Sequence, residues 1–238
     1  MLIRSVMLLL MATCLGFLGV VAFGGQIVGP TSAVADGLET SSLVVERTST
    51  ALEPVAVNPL SITKISAFAC DESQIGSGFL TDDGLFTAAH VVGDAEVAFV
   101  TPHLQQSIMG TIVGRTVAGE DVSLIEVSLQ EPSLPTTDII PERGSTTTVA
   151  GHPFGGALTI RAGKMLGMGA GALFGLDANR VIMVDVPVEE GFSGGPVLNS
   201  AGEVFAVIVA VEVGTNTTLA IPLADIELDG FARHDCSI

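Results

Sequence analysis

From residue 62 onward the chain is a succession of short apolar or alternating apolar–polar runs, punctuated by Gly, Pro and Asp. The first six are ISAFAC, GSGFLT, LFTAAHVV, EVAFVTP, IMGTIVGRTV and DVSLIEV. A Pro-rich break, QEPSLPTTDIIPERG at residues 130–144, precedes a second six: TTTVAGH, ALTIRAGKML, RVIMVDVPV, GPVL, EVFAVIVAVEV and TTLAIPL. Six β-like runs on either side of one break predict an all-β sandwich or barrels, not alternating β and α units. Glycines at 163, 167, 169, 171 and 175 suit bends and loops between strands. One stretch, LADIELDGFARH at residues 223–234, has a modest helical stripe. Residues 36–61 are rich in Ser, Thr, Glu and Pro, show little periodicity and are expected to be a linker.

The N-terminus changes the picture of where this β domain resides. Arg4 precedes a run without charge from Ser5 to Pro30, which suits either the core of a signal peptide or a single membrane-spanning anchor. Ala33-Val34-Ala35 is a small-residue cleavage pattern, so residues 1–35 are expected to be a signal peptide or signal anchor. Either way the positive residue stays inside, and the rest lies outside the cytoplasmic membrane. Too little apolar sequence precedes Cys14 for a lipoprotein signal. The net charge of −17 excludes a nucleic-acid partner, since little here could neutralise phosphates, and argues against basic anchoring to anionic lipid. Beyond Cys14 only Cys70 and Cys236 remain. In an oxidising space such a pair is most simply a disulfide, the alternative being two buried free thiols. No His or Cys cluster has metal-ligand spacing, and no metal or cofactor is expected.

The candidate chemistry centres on EEGFSGGPVLN, residues 189–199. A nucleophilic serine needs a base and usually a carboxylate to orient it. His90 in LFTAAHVVGD ends a strand-like run ahead of a possible helical turn, and Asp121 in GEDVSLIEV opens an apolar run. Ser193 lies among glycines that let backbone N–H groups face a developing oxyanion. The Gly-x-Ser-x-Gly pattern also fits the nucleophile elbow of lipases and esterases, which requires a helix after the serine and Asp and His later in the chain. Pro196 and the strand-like sequence after it remove that reading, as do the mere 45 residues that follow Ser193. The order His90, Asp121, Ser193 is that of chymotrypsin-like enzymes.

The stretches GSGFLTDDGLFTAAHVV, DVSLIEV, VAGHPFGG, VDVPVEEGFSGGPVLNSAGEVFAVIVA and TTLAIPL resemble the HtrA-type branch of trypsin-like serine proteases. Within it they are most similar to the periplasmic domains of actinobacterial membrane-anchored acid-resistance proteases. The resemblance covers residues 62–238. It implies two six-stranded antiparallel β-barrels, at about 62–130 and 144–222, with the active site between them and a short C-terminal helix. It also implies His90 as general base, Asp121 as its orienting carboxylate, Ser193 as nucleophile, and the N–H groups of Gly191 and Ser193 as oxyanion hole. Cys70 and Cys236 correspond to a disulfide in those enzymes. The departures are one apolar segment where these relatives have several membrane helices, no PDZ domain after AIPLADIEL, and Phe192 where Asp or Asn usually precedes the nucleophile. A polar side chain there hydrogen-bonds within the loop and holds the oxyanion hole open. Phe192 is expected either to collapse the loop or to pack into a pocket made for it.

These expectations stand against plainer ones: His90 as a structural histidine, Asp121 as a turn aspartate, Ser193 as a turn serine. His152 is expected in a loop or cleft wall, with His103 and His234 on the surface. Asp82-Asp83-Gly84 fits a hairpin turn better than a calcium site, and Asn216-Thr217-Thr218 fits a turn better than a glycosylation site. Pro187, Val209, Ala210 and Val211 are expected to line the specificity pocket, favouring small or medium apolar side chains. The functional expectation is an exported, cofactor-free serine endopeptidase acting on protein or peptide substrates, of undetermined oligomeric state. The rival is a protease-fold binding protein without turnover.

Overall fold

The computed structural model describes residues 52–69, 72–116, 120–212 and 214–227. The export segment, most of the linker, Cys70 and Cys236 therefore lie outside the described residues. The twelve apolar runs form twelve strands. They are β1 (Ile62–Ala69), β2 (Glu72–Thr81), β3 (Gly84–Ala88), β4 (Val97–Pro102), β5 (Ile108–Arg115), β6 (Val122–Glu126), β7 (Thr146–Gly151), β8 (Thr159–Gly169), β9 (Val181–Val184), β10 (Pro196–Leu198), β11 (Val204–Glu212) and β12 (Thr217–Pro222). They close into two antiparallel barrels, β1-β2-β3-β6-β5-β4 and β10-β11-β12-β9-β8-β7. In β4, Ala98 and Val100 point inward while Val97 and Phe99 face out, the period-two pattern of a strand with one wet face. β11 is buried along Val204–Val209, as suits a strand covered on both sides.

One apolar core fills the first barrel around Ile65, Phe79, Leu85 and Ile125 and continues into the second through Leu198, Val204 and Val207. A second cluster, around Met165, Ile182, Val197 and Phe205, completes the C-terminal barrel. The Pro-rich break runs between them, with Leu134 N donating to Leu80 O (2.8 Å) and Thr137 N to Val204 O (2.9 Å). Asp82 and Asp83 form the two-residue turn of the β2–β3 hairpin, as expected. Asn216 takes a left-handed turn conformation between β11 and β12.

Three expectations need correcting. Gly163, Gly167 and Gly169 lie inside β8, not between strands. A Cβ at Gly163 would stand 2.3 Å from Asp185 O, so the residue is small because β9's approach passes over it. Gly167, at φ +142°, sits where the β8–β9 register shifts. The stripe at 223–234 opens as a single 3-10 turn, Leu223–Asp225, and residues 228–234 lie outside the described residues. Finally, the barrel packing begins ahead of residue 62: Val55 N donates to Thr148 Oγ1 (2.8 Å), and Pro59–Ser61 form a 3-10 turn capped by Asn58.

Candidate active site

β3 pairs with β6 so that Ala88 stands opposite Val122, which brings the residues on either side, His90 and Asp121, together. His90 occupies a one-turn helix, α1 (Ala89–Val92), directly after β3. Asp121 holds this junction at three points. Its carbonyl accepts from Ala89 N (3.1 Å), its Oδ1 from His90 N (2.8 Å), and its Oδ2 pairs with His90 Nδ1 at 2.5 Å. Backbone and ring are thus locked by one residue, the Nδ1–H tautomer is selected, and Nε2 remains to accept a proton. The imidazole is 46% exposed, so it is reachable from solvent.

Ser193 lies in the turn between β9 and β10, and the first barrel holds it there. Ser77 of β2 donates its backbone N–H to Ser193 O (2.8 Å) and its hydroxyl to Gly191 O (2.6 Å). Its Oγ also accepts from His152 N (2.8 Å), and its carbonyl accepts from Thr87 Oγ1 (2.7 Å) on β3. A Cβ on Gly194 would stand 2.1 Å from Ser77 O and 2.7 Å from Ala88 N. Only glycine permits that approach, and it sets Ser193 beside the strand end that carries His90.

Within the nucleophile turn the amides divide into two sets. Phe192 N donates to Glu189 O (3.2 Å), Gly194 N to Ile208 O (2.7 Å) and Gly195 N to Phe192 O (2.8 Å). Gly191 N and Ser193 N donate to no acceptor among the described residues. Gly191 has φ +96°, and a Cβ on it would stand 2.3 Å from His152 O. Two uncommitted N–H groups flanking residue 192 are what a developing oxyanion requires.

Phe192 is fully buried, packed in the second-barrel cluster with Val149, Met165, Val197 and Phe205. Gly151 makes the space, since a Cβ there would lie 2.7 Å from Phe192 Cδ1. The Arg161 guanidinium covers the ring at 5.3 Å from its centroid. Of the two expectations for Phe192, the ring occupies a fitted pocket.

His152 is 5% exposed, lies against Gly191 and donates from Nδ1 to Gly156 O (3.0 Å). Its Nε2 is buried without a partner. Desolvation holds its pKa below the usual 6.5, and the positive charges of Lys64 and His103 add to that. Val209 is buried, Ala210 and Val211 are half-buried after a bulge in β11, and Pro187 is exposed. His103 is half-buried rather than at the open surface. No group of three or more His, Cys, Asp or Glu side chains is placed to hold a metal ion among the described residues. None of their helices is long and apolar enough to cross a membrane. Ser77, Thr87 and Arg161 were not singled out from the sequence, because isolated polar residues in strand-like runs carry no signal of a tertiary partner.

The "Probable periplasmic serine endoprotease DegP-like" of Chlamydia muridarum is 31% identical over 156 residues, covering 63% of this chain and 31% of that protein. The chain spans about a third of the length of the curated relatives it matches. In fold it is similar to the Rv3671c protease from M. tuberculosis in its active form, with a TM-score of 0.66 at 22% identity over 86% of this chain and 99% of that one. It is also similar to the HtrA-type protease AlgW with tripeptide, with a TM-score of 0.63 at 21% identity over 69% and 57%. The sequence pattern of the trypsin-like peptidase domain matches residues 76–207, a span that holds His90, Asp121 and Ser193, and the chain belongs to that family, in its HtrA-type branch.

Proposed function

We propose that the chain is an exported serine endopeptidase that cleaves peptide bonds through an acyl-enzyme on Ser193. The observation that carries this reading is a pair of amides, Gly191 N and Ser193 N, that have no acceptor among the described residues, in a turn whose other N–H groups are committed. Ser193 Oγ attacks the scissile carbonyl while His90 Nε2 takes its proton, and Asp121 stabilises the imidazolium through Nδ1. The carbonyl oxygen becomes an oxyanion between the two amides. Collapse expels the amine, which takes the proton back from His90. Water, activated by the same imidazole, then releases the acyl group and regenerates the hydroxyl.

Pro187, Val209, Ala210 and Val211 are the proposed pocket lining, favouring small or medium apolar side chains before the cleaved bond. The Chlamydia relative is described as a probable periplasmic endoprotease, in keeping with an exported domain. A tether at residues 1–35 and a Cys70–Cys236 disulfide belong to the same reading.

A fluorophosphonate probe tests it. Wild-type protein should be labelled covalently and Ser193→Ala should not. A folded wild-type protein that stays unlabelled at both neutral and acidic pH would overturn the proposal and leave a binding protein on a protease scaffold.

A further inference from the structure

The turn bearing Ser193 lacks an internal polar brace at residue 192, yet it holds a defined shape. The brace comes from a different strand. Arg161 stands on β8 opposite Val149 of β7, and Val149 in turn pairs with Val197 of β10, so Arg161 lies two strands from the nucleophile turn. Its side chain reaches back to that turn's entry segment at three points. Nη1 donates to Pro187 O (2.5 Å), Nη2 donates to Glu189 Oε1 (3.0 Å), and the guanidinium plane lies over the Phe192 ring. Nη1 is also 2.9 Å from Glu189 Oε2, an ion-pair distance at an angle too poor for a further hydrogen bond. One planar cation therefore touches residues 187, 189 and 192, immediately upstream of the nucleophile.

We propose that Arg161 is the positioning residue of the oxyanion hole, bracing the turn from outside in place of a polar side chain at position 192. This rests on the reading of Ser193 as nucleophile. Glu189 O accepts from Phe192 N, so fixing Glu189 and the Phe192 ring holds the two peptide planes between Gly191 and Ser193, the second of which carries Ser193 N–H. Two further carbonyls of the segment are held by other groups: Glu190 O by Phe154 N (2.7 Å) and Gly191 O by Ser77 Oγ. Among the described residues, the contacts of Arg161 reach both the entry segment and the ring. A solvent-exposed ion pair alone would contribute little, but fork geometry combined with ring stacking is specific to arginine, and a lysine cannot reproduce it. Arg161 touches no reacting atom; it acts through Phe192, whose carbonyl shares a peptide plane with Ser193 N–H, while Phe154 N holds the plane that carries Gly191 N–H.

The test compares Arg161→Met, which keeps an unbranched apolar stem but no guanidinium, with Arg161→Lys and Glu189→Gln. Readouts are fluorophosphonate labelling rate, kcat and KM on a peptide substrate, and thermal melting. Arg161→Met should lose about 10- to 100-fold in kcat and labelling rate with KM little changed, a smaller loss than the about 10²–10³ for deleting an oxyanion donor outright. Arg161→Lys should recover part of it, since a point charge can pair with Glu189 but cannot also fork onto Pro187 O. Glu189→Gln should lie between wild type and Arg161→Met, and it carries the test should Arg161→Met fail to fold. If wild type labels and the folded variants label equally fast, the positioning role is overturned while the nucleophile stands. A folded wild type that does not label overturns both. A rise in KM with kcat unchanged would assign Arg161 to substrate binding and likewise overturn the proposal.

Discussion

Replacing Phe192 by asparagine would put at this position a residue type that HtrA-like enzymes commonly carry, and the structure predicts harm. The ring is fully buried among Val149, Met165, Val197, Phe205 and Ile208, none of which offers a side-chain acceptor or donor. Truncating a buried Phe to a small side chain costs about 3–5 kcal/mol in lost transfer energy and cavity. That is a large share of the roughly 5–15 kcal/mol that holds a domain folded. At about 2–4 °C per kcal/mol for a domain of this size, melting should fall by roughly 10 °C or more. The chain has no Trp and no Tyr, so unfolding is best followed by far-UV circular dichroism. Phe192→Leu, nearer in volume and still apolar, should cost far less. A Phe192→Asn protein that melts within 2–3 °C of wild type and labels faster with fluorophosphonate would refute the reasoning, showing that the ring's pocket is dispensable (an error of about 1 kcal/mol corresponds to that interval).

Two further outcomes follow from close contacts. Gly76→Ala places a Cβ 2.5 Å from Val91 Cγ2 and 2.8 Å from Ser193 O; overpacking of this kind costs about 1–3 kcal/mol, and it should also slow labelling by displacing the nucleophile turn. His152 supplies the pH dependence. Its folded pKa lies below 6.5, so the unfolded chain binds the proton first. The stability its neutral form contributes is fully present above that value and is lost as pH falls through the folded pKa. Relative to His152→Gln, wild type should lose stability below pH 6.5 by at most about 1.4 kcal/mol per pH unit. Urea midpoints for the two proteins that stay parallel from pH 7.5 to 5.5 (about two units of proton activity, enough to expose that slope) would remove His152 from the account.

The twelve strands were legible because each barrel strand turns one face inward, and period-two or continuous apolar runs record that geometry directly. The break at residues 130–144 was legible for the opposite reason: its prolines cannot donate to a ladder. His90, Asp121 and Ser193 could be picked out because few histidines compete and the glycines around Ser193 form a local signal. The fate of Phe192 was not legible. Its pocket is built by Gly151 and Arg161, on strands whose pairing appears only when the barrel closes. Gly163 looked like a bend for a similar reason, since nothing local records that Asp185 crosses its face. Residues 223–234 carried a helical stripe, but its first residues form a 3-10 turn after β12, with Arg180 clasping Asp225 at 2.6 Å.

Ser77 gives the molecule a safeguard during its own biogenesis. It belongs to the N-terminal barrel, yet both its amide and its hydroxyl grip the loop that carries the proposed nucleophile on the C-terminal barrel. A chain emerging from its N-terminus completes His90 and Asp121 long before residues 191–193 exist, and that pair alone can cut nothing. A C-terminal barrel folded by itself would present a serine with no base and with its loop unmoored. On the proposed function, proteolytic competence would therefore be a property of the docked pair of barrels. Because one apolar core runs through both barrels, losing their docking would remove that competence together with the fold.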